Sequence, residues 1–559
     1  MRLQNRHPSI LETKQRLSES ILWKLQRNFF EQEGIGAWNT GKVPHYATSN
    51  PFIANAYGKV VFGFLRDCAA NSQMPLDPPL PPLKTPLGDR GINLLLDRTQ
   101  PVYIMELGSG SGRFSYHFLK QFFESYARSA LKEISVKYIM TDFAQKNLDF
   151  WQTHPALQPF IEQGLLDFAR FDITSDRTLT LVRSGETLDS QTLKNPLVVL
   201  ANYFFDSIPQ DLFHIEDGQL YETLITLNAF SPNPDLTDQK LLETLDITYT
   251  NSAIAAEGYY EESLGFNEVL RNYQTHLKST YLLFPYLGLT GLKNLRELSG
   301  DRLLLLSGDK GFNREESLDG RGKPHLAFHQ GCFSLMTNYP AIAQYVQNQG
   351  GQSLMTTYRH RSIAICGFLF GQPASNYIET RYAYGTAIEN SSPDDFFSLK
   401  KALEPHFNVL SLQQTLAYLR FSGWDFKLFL GCFENLMEQV ETASPELKQE
   451  VNLAIQNIWK TYYFIGETED LAFHLSMVLF KMGYYAEAIG YIDYSIELYG
   501  KDPGMFYNKA KCYCELQSLE PALESLEIAL TLYPQFEEAQ LLKDKIEEYN
   551  RQQNLEQKS

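Results

Sequence analysis

The stretch from Pro101 to Phe118, PVYIMELGSGSGRFSYHF, limits what this chain can fold into more than any other. Val102 to Met105 is a short apolar run and reads as a buried parallel strand. The run ends in Glu106, turns through Gly108, Gly110 and Gly112, and enters a helix at about Arg113. Glycines permit a tight turn with positive φ and let the backbone approach a ligand closely. The helix that follows offers unpaired N–H groups and the positive end of its dipole. Glu106, at the carboxyl end of the strand, can accept hydrogen bonds from a cationic or hydroxylated ligand.

The spacing separates two readings of such a turn. The dinucleotide fingerprint is G-x-G-x-x-G, but Arg113 stands where its third glycine belongs. G-x-G-x-G preceded by an acid instead resembles the pattern of S-adenosyl-L-methionine-dependent methyltransferases. No G-x-x-x-x-G-K-[ST] occurs, so a P-loop is not expected. Val136 to Met140 reads as the next strand, with Asp142 just beyond it. That is where a doubly wound sheet presents an acid to a ribose diol.

A chain of 559 residues predicts two or three domains, and 43% hydrophobic residues suffice for packed cores. The formal charge of −17 argues against a nucleic-acid partner. The six cysteines show no C-x-x-C spacing, which predicts free thiols in a reducing compartment. No apolar run approaches the roughly 20 residues needed to span a bilayer. The charged N-terminus lacks an apolar signal region, so a cytoplasmic protein without a membrane partner is expected.

In order along the chain, residues 9 to 32 read as an amphipathic helix, and a polar turn leads into another helix from about Phe52. Met74 to Pro86, rich in proline, reads as a loop. Beyond the glycine turn, strands alternate with helices, which predicts an α/β fold with a parallel sheet. Phe168 to Phe171 is a short strand ending at Asp172, an expected partner for an adenine amino group. Pro196 to Ala201 is a buried strand running into Asn202-Tyr203-Phe204-Phe205-Asp206. Asn202 and Asp206 are candidates for the reacting end of the site, helix capping by Asp206 being the alternative. A helical insertion is expected at about 258–298, as a cap over the substrate cleft. Arg302 to Leu306 is the next strand, followed by Ser307-Gly308-Asp309-Lys310-Gly311. His325 and His329 have helical metal-ligand spacing without a third ligand, so no metal is expected.

The order ELGSGSGR, Asp142, ANYFFDSIPQDLF, LLLLSGDKG resembles the MidA-like methyltransferases over about residues 25–372. Their fourth-strand pattern A-N-E-x-x-D-A-L-P is matched at Asn202, Asp206 and Pro209, and their D-Y-G loosely at Asp309-Lys310-Gly311. A T-S-P segment is echoed by Thr48-Ser49-Asn50-Pro51. Mitochondrial members methylate a protein arginine during respiratory complex I assembly. The resemblance implies a Rossmann-like class I methyltransferase sheet with S-adenosyl-L-methionine as cofactor. Two positions depart from the family. Tyr203 stands where it has a glutamate, and His329-Gln330-Gly331-Cys332-Phe333 replaces a D-I-T-A-H-V-D-F run.

Gln372 to Pro393 reads as a linker, and Ser392-Pro393-Asp394-Asp395 as a helix start. Beyond it Ser476 and Ala510, Ala488 and Ala522, and Ser495 and Ala529 are each 34 residues apart, the tetratricopeptide period. Residues from about Leu412 to Tyr463 are expected to add divergent repeats, and Phe536 to Tyr549 a polar capping helix.

These readings predict an N-terminal helical segment with a proline-rich loop (1–95), a methyltransferase domain (96–372), a linker (373–393) and an all-α repeat domain (394–559). The roles follow. Gly108, Gly110 and Gly112 shape the cofactor loop, and Glu106 holds the amino-acid part of the cofactor. Asp142 takes the ribose hydroxyls and Asp172 the adenine edge. Asn202, Asp206 and Asp309 (or His325) orient or deprotonate a nitrogen acceptor on a protein recruited by the repeats. Two alternatives remain open: an assembly protein that binds cofactor without turnover, and a small-molecule methyltransferase.

Overall fold

The computed structural model describes residues 9–73, 96–230, 234–238 and 240–556. The proline-rich loop expected at Met74 to Pro86 lies outside them. The chain divides after Ser398 into two compact units.

The first unit is built on a seven-stranded sheet in the order Gln352–Leu354, Ala364–Phe370, Leu303–Asp309, Leu197–Asn202, Val102–Leu107, Val136–Asp142, Leu166–Arg170. The last five run parallel, while Ala364–Phe370 is antiparallel to Leu303–Asp309. The parallel strands are apolar on both faces because the sheet is covered on both sides, as their unbroken apolar runs predict. From Val102–Leu107 the chain moves out to Val136–Asp142 and Leu166–Arg170, then returns to its other side at Leu197–Asn202. At that switch point the loops after neighbouring strands diverge and leave a crevice at their carboxyl ends. The glycine loop and the Asn202–Asp206 segment both leave the sheet there.

Three expectations are corrected. Residues 9–32 are not one helix: Ser9–Arg16 is a strand, and the helix Ile21–Glu33 starts only after Ser20, whose hydroxyl accepts from Leu22 N at 3.2 Å. The strand pairs with Gln219–Ala229, a long-range hydrogen-bonding partner that helical periodicity does not reveal. The insertion at 258–298 is not purely helical either. Ser279–Phe284 is a strand between the helices Phe266–His276 and Tyr286–Leu298. It forms the edge of a second, five-stranded sheet with Asp211–Glu216, Gln219–Ala229, Asp246–Ala253 and Ser9–Arg16, antiparallel throughout. The segment read as a linker contains the helix Ile378–Tyr384 and a π-helical turn, Gly385–Glu389. Tyr377 and Tyr384 are buried there and donate to the carbonyls of Phe370 (2.9 Å) and Ile365 (2.8 Å). Polar composition hid these apolar anchors.

The second unit, from Leu399, contains no strand among its described residues. Helices Leu471–Met482 and Tyr485–Tyr499 form one antiparallel hairpin, and Pro503–Glu515 and Leu519–Leu532 the next. Gly483 closes the first helix in the left-handed region, φ 86°. The residues of the 34-residue repeat, Ser476/Ala510, Ala488/Ala522 and Ser495/Ala529, are all buried, so their small side chains let neighbouring helices approach closely. Glu537–Glu556 packs Ala539 and Ile546 against the last hairpin and leaves its acidic and basic residues outside. The helices Leu412–Phe421, Phe426–Gln439 and Pro445–Thr461 precede these hairpins.

Candidate active site

Strand Val102–Leu107 ends in the turn Gly108–Gly112, and the helix Arg113–Tyr126 begins directly after it. Gly108, Gly110 and Gly112 have φ values of 61°, 53° and 78°, the left-handed region that side chains disfavour. Space restricts the first two as well. A Cβ at Gly110 would lie 2.8 Å from Trp38 Cζ2, and one at Gly108 would lie 3.2 Å from Phe204 Cδ2. Trp151 Nε1 donates to Gly110 O at 3.0 Å and Ser109 N to Thr141 O at 2.8 Å, fixing the turn against the neighbouring strand.

Two adjoining clefts open at this turn and share Phe30, Trp38, Gly108, Tyr203 and Ser207. The larger, about 1230 Å³, has Asp142 and Asp172 at its edge and Phe143, Phe171, Ile173 and Phe204 as apolar walls. Such a slot suits a planar base and its sugar. Asp142, at the end of its strand, accepts from Gly110 N (3.3 Å), Ala144 N (3.0 Å) and Asn147 Nδ2 (2.9 Å). Burial pushes its proton affinity up, and those bonds pull it back. Asp172 is held by Arg27 and by Thr174, whose hydroxyl donates at 2.6 Å. Burial acts to raise it, but these donors outweigh that and keep it below the ordinary carboxylate range. Arg27 also lies over the Phe143 ring at 4.5 Å, so the N-terminal helix closes this end of the slot.

The second cleft, about 840 Å³, brings together Glu106, Gly110, Asn202, Asp206, Lys310 and His329. Glu106 is 3% exposed and accepts from the hydroxyls of Ser115 and Tyr138, the latter at 2.8 Å. Burial nevertheless pushes its carboxyl up to about 7. Asn202 Oδ1 accepts from Tyr57 Oη at 2.8 Å, while its buried Nδ2 has no acceptor among the described residues. An oriented, unsatisfied donor on the wall of a cleft awaits a ligand acceptor. Tyr203 has φ 50°, a strained value for a bulky residue, and its N–H is tied to Gly308 O at 2.9 Å.

Asp206 and Asp309 form a buried acid pair. Asp309 accepts from Tyr339 Oη (3.0 Å), Ser307 Oγ (3.2 Å) and Phe205 N (3.4 Å), but burial still raises it to about 6. Asp206 reaches the cleft. Burial and the charge of Asp309 push it well above its ordinary range, against the opposing effect of Lys310. Asp309 itself does not line either cleft, so it acts on Asp206 from within the protein. Gly112 likewise begins the helix without lining a cleft.

Sequence reasoning missed the roof. Gln26 of the helix Ile21–Glu33 donates to Ser207 O and accepts from Phe333 N, each at 2.8 Å, and so fastens that helix over the Asn202–Asp206 loop. Trp38, Phe30, Arg27 and Tyr57 all come from the N-terminal segment. The one available signal was the Thr48–Pro51 echo, since Thr48 and Ser49 line the second cleft and Asn50 caps the helix Pro51–Gln73. The histidines part company. His329 lies on the short strand Ala327–His329 in the second cleft, and His325 lines a different one, so no helix carries both. No group of metal-ligating side chains occurs among the described residues.

Residues 93–284 match the model of a family described as "Putative S-adenosyl-L-methionine-dependent methyltransferase". No curated protein matches the chain. Among solved structures, one match is an uncharacterized superfamily protein from Burkholderia thailandensis, 9% identical, TM-score 0.35, covering 64% of this chain and 89% of that one. Another is a superfamily member from the same organism bound to S-adenosyl-homocysteine, 10% identical, TM-score 0.34, covering 59% and 80%. At such scores neither alignment bears on the chemistry of this chain. The glycine turn and the acid after the second strand fit the ligand that the family description names. The cofactor of the matched segment is S-adenosyl-L-methionine.

Proposed function

We propose that this protein is an S-adenosyl-L-methionine-dependent methyltransferase that methylates a nitrogen on a protein substrate. The observation that carries the reading is Asp206, a buried carboxylate of raised proton affinity in the cleft beside the glycine turn. The bound cofactor supplies a methyl group on a sulfonium. Glu106 is placed for the cofactor's amino group, Asp142 for its ribose, and the Asp172 end of the slot for its adenine. The methyl group would pass from that sulfonium to the acceptor nitrogen, and Asp206 is the group that would take the proton the nitrogen sheds. Positioning contributes much of the rate, because in-line displacement requires acceptor, carbon and sulfur to be aligned. Asn202, held by Tyr57, orients the acceptor, and Asp309 keeps Asp206 basic.

Tyr203, which lines the cleft of Asp206 where the resembled family has a glutamate, favours an amine or a singly clamped guanidinium over one gripped by two carboxylates, because a planar guanidinium is best satisfied by forked pairs. In this reading the helical unit is a tetratricopeptide-type module that recruits the substrate. Its exposed Leu453, Tyr494, Leu541 and Tyr549 support that role. The test is incubation of the full chain with radiolabelled cofactor and a cell lysate, followed by separation of protein from small molecules. Label on protein nitrogen, lost in Asp206→Asn, supports the reading; label on small molecules alone refutes it.

A further inference from the structure

A third cleft, about 1170 Å³, adjoins the one that holds Asp206, and Lys310 and Ser334 line both. Its apolar surface includes Leu283, Phe312, Leu335 and Met336. Its charged lining is of one sign: Lys310, Arg321 and Lys323, joined by the imidazole of His325, with no aspartate or glutamate. The chain as a whole has the opposite balance, 66 acidic against 49 basic residues. Two of the cations, Arg321 and Lys323, are also held in place without being neutralised. Arg321 lies over the Phe312 ring at 4.5 Å and donates from Nε to Ser317 O at 2.6 Å, while Lys323 lies over Tyr249 at 5.3 Å. Among the described residues, neither pairs with a carboxylate.

We propose that this cleft binds an acidic peptide segment next to the methylated residue of the substrate. The proposal rests on the methyltransferase reading. Lys310 joins the two clefts, so a chain whose reactive side chain reaches Asp206 would lay its neighbouring aspartates or glutamates along Lys310, Arg321 and Lys323. The apolar surface takes the intervening side chains, which a free phosphate would leave unused. A single-stranded nucleic acid is the rival polyanion, and it has no aliphatic side chains to set against Leu283, Leu335 and Met336. The substrate sequence is therefore an acceptor residue flanked by acids. The cleft selects it by charge complementarity, which speeds encounter and rejects basic neighbours.

The test uses the full-length protein and fluorescein-labelled hexaglutamate, followed by anisotropy at low salt. Hexaglutamate should bind, bind at least tenfold more weakly to the double variant Arg321→Glu/Lys323→Glu, and inhibit label transfer to lysate protein. Arg321→Gln/Lys323→Gln is the milder pair should the charge reversal unfold. Equal binding to wild type and both variants overturns the proposal. So does tighter binding of hexadeoxythymidylate, or displacement by inorganic phosphate at the concentration at which unlabelled peptide displaces. Affinity for S-adenosyl-L-methionine, measured in parallel, should not change in either variant. Its absence from wild type would count against the methyltransferase reading, while the peptide measurement would still decide the cleft.

Discussion

The indole of Trp38 stands against Gly110, with its Cζ2 2.8 Å from where a Cβ at that position would lie. The N-terminal segment thus supplies the surface facing the glycine turn. Phe30 stacks on the same indole at 5.9 Å. An aromatic wall beside a sulfonium gains a cation–π attraction of about 1–2 kcal/mol.

Trp38→Ala should therefore weaken S-adenosyl-L-methionine about tenfold, since 1.4 kcal/mol is tenfold in affinity. S-Adenosyl-homocysteine, which lacks the positive sulfur, should lose less. Equal losses for both ligands in calorimetric titration would show that Trp38 contributes contact area alone.

Glu106 gives the site a pH dependence. Burial raises its carboxyl to about 7, so the folded protein binds a proton there that the unfolded chain releases near the ordinary value of 4.5. Stability is therefore greatest below the unfolded value and falls as pH rises through about 7. Glu106→Gln should flatten the fall in melting temperature between pH 5 and pH 8. A cationic ligand group favours the ionised carboxylate, so cofactor affinity should rise over the same range in the wild type and not in the variant.

Asp206→Asn should lower the rate of methyl transfer by 10²- to 10⁴-fold, the usual range for loss of a general base, and change cofactor affinity little. Asp206 also raises its proton affinity on folding, so the variant should be the more stable protein at neutral and alkaline pH. Equal losses of transfer and cofactor binding would move Asp206 from acceptor chemistry to the cofactor.

Tyr57→Phe should leave Asn202 without its 2.8 Å donor, at a cost of about 1 kcal/mol in stability. Its larger effect should fall on transfer, because a freed amide can rotate away from the acceptor. A variant that loses stability but keeps full turnover would reduce the Tyr57–Asn202 bond to a structural one.

Ala522 is fully buried in the second helical hairpin. Ala522→Leu should destabilise that unit by about 1–3 kcal/mol through overpacking. Cofactor affinity should not change, and label transfer to protein should fall if the unit recruits substrate. Undiminished transfer would contradict the recruiting role.

The sequence disclosed those parts of the fold whose signals are local. Unbroken apolar runs marked the parallel strands, glycine spacing marked the tight turn from Val102–Leu107 into its helix, and the small residues from Ser476 to Ala529 marked the buried faces of the helical hairpins. Pairings between distant segments were not legible. Ser9–Arg16 is a strand only because Gln219–Ala229 lies beside it, and Ser279–Phe284 only because of Asp211–Glu216. For the same reason Gly110, Asn202 and Asp206, singled out from their own neighbourhoods, do line one cleft, whereas Trp38, Arg27 and Tyr57 come to the clefts from an N-terminal segment without a motif strong enough to announce them. The separation of Asp309 from the clefts depends on side-chain packing, which no spacing encodes.

Titration calorimetry on wild type and Gly110→Val decides whether the glycine turn holds S-adenosyl-L-methionine. At φ 53° and with Trp38 in the way, valine cannot be added without displacing the indole or the turn. Wild type should bind the cofactor at a single site, and Gly110→Val should show no binding while keeping the circular dichroism of the wild type. Failure of the wild type to bind, or unchanged affinity in a folded Gly110→Val, would mean that the glycine turn does not hold the cofactor.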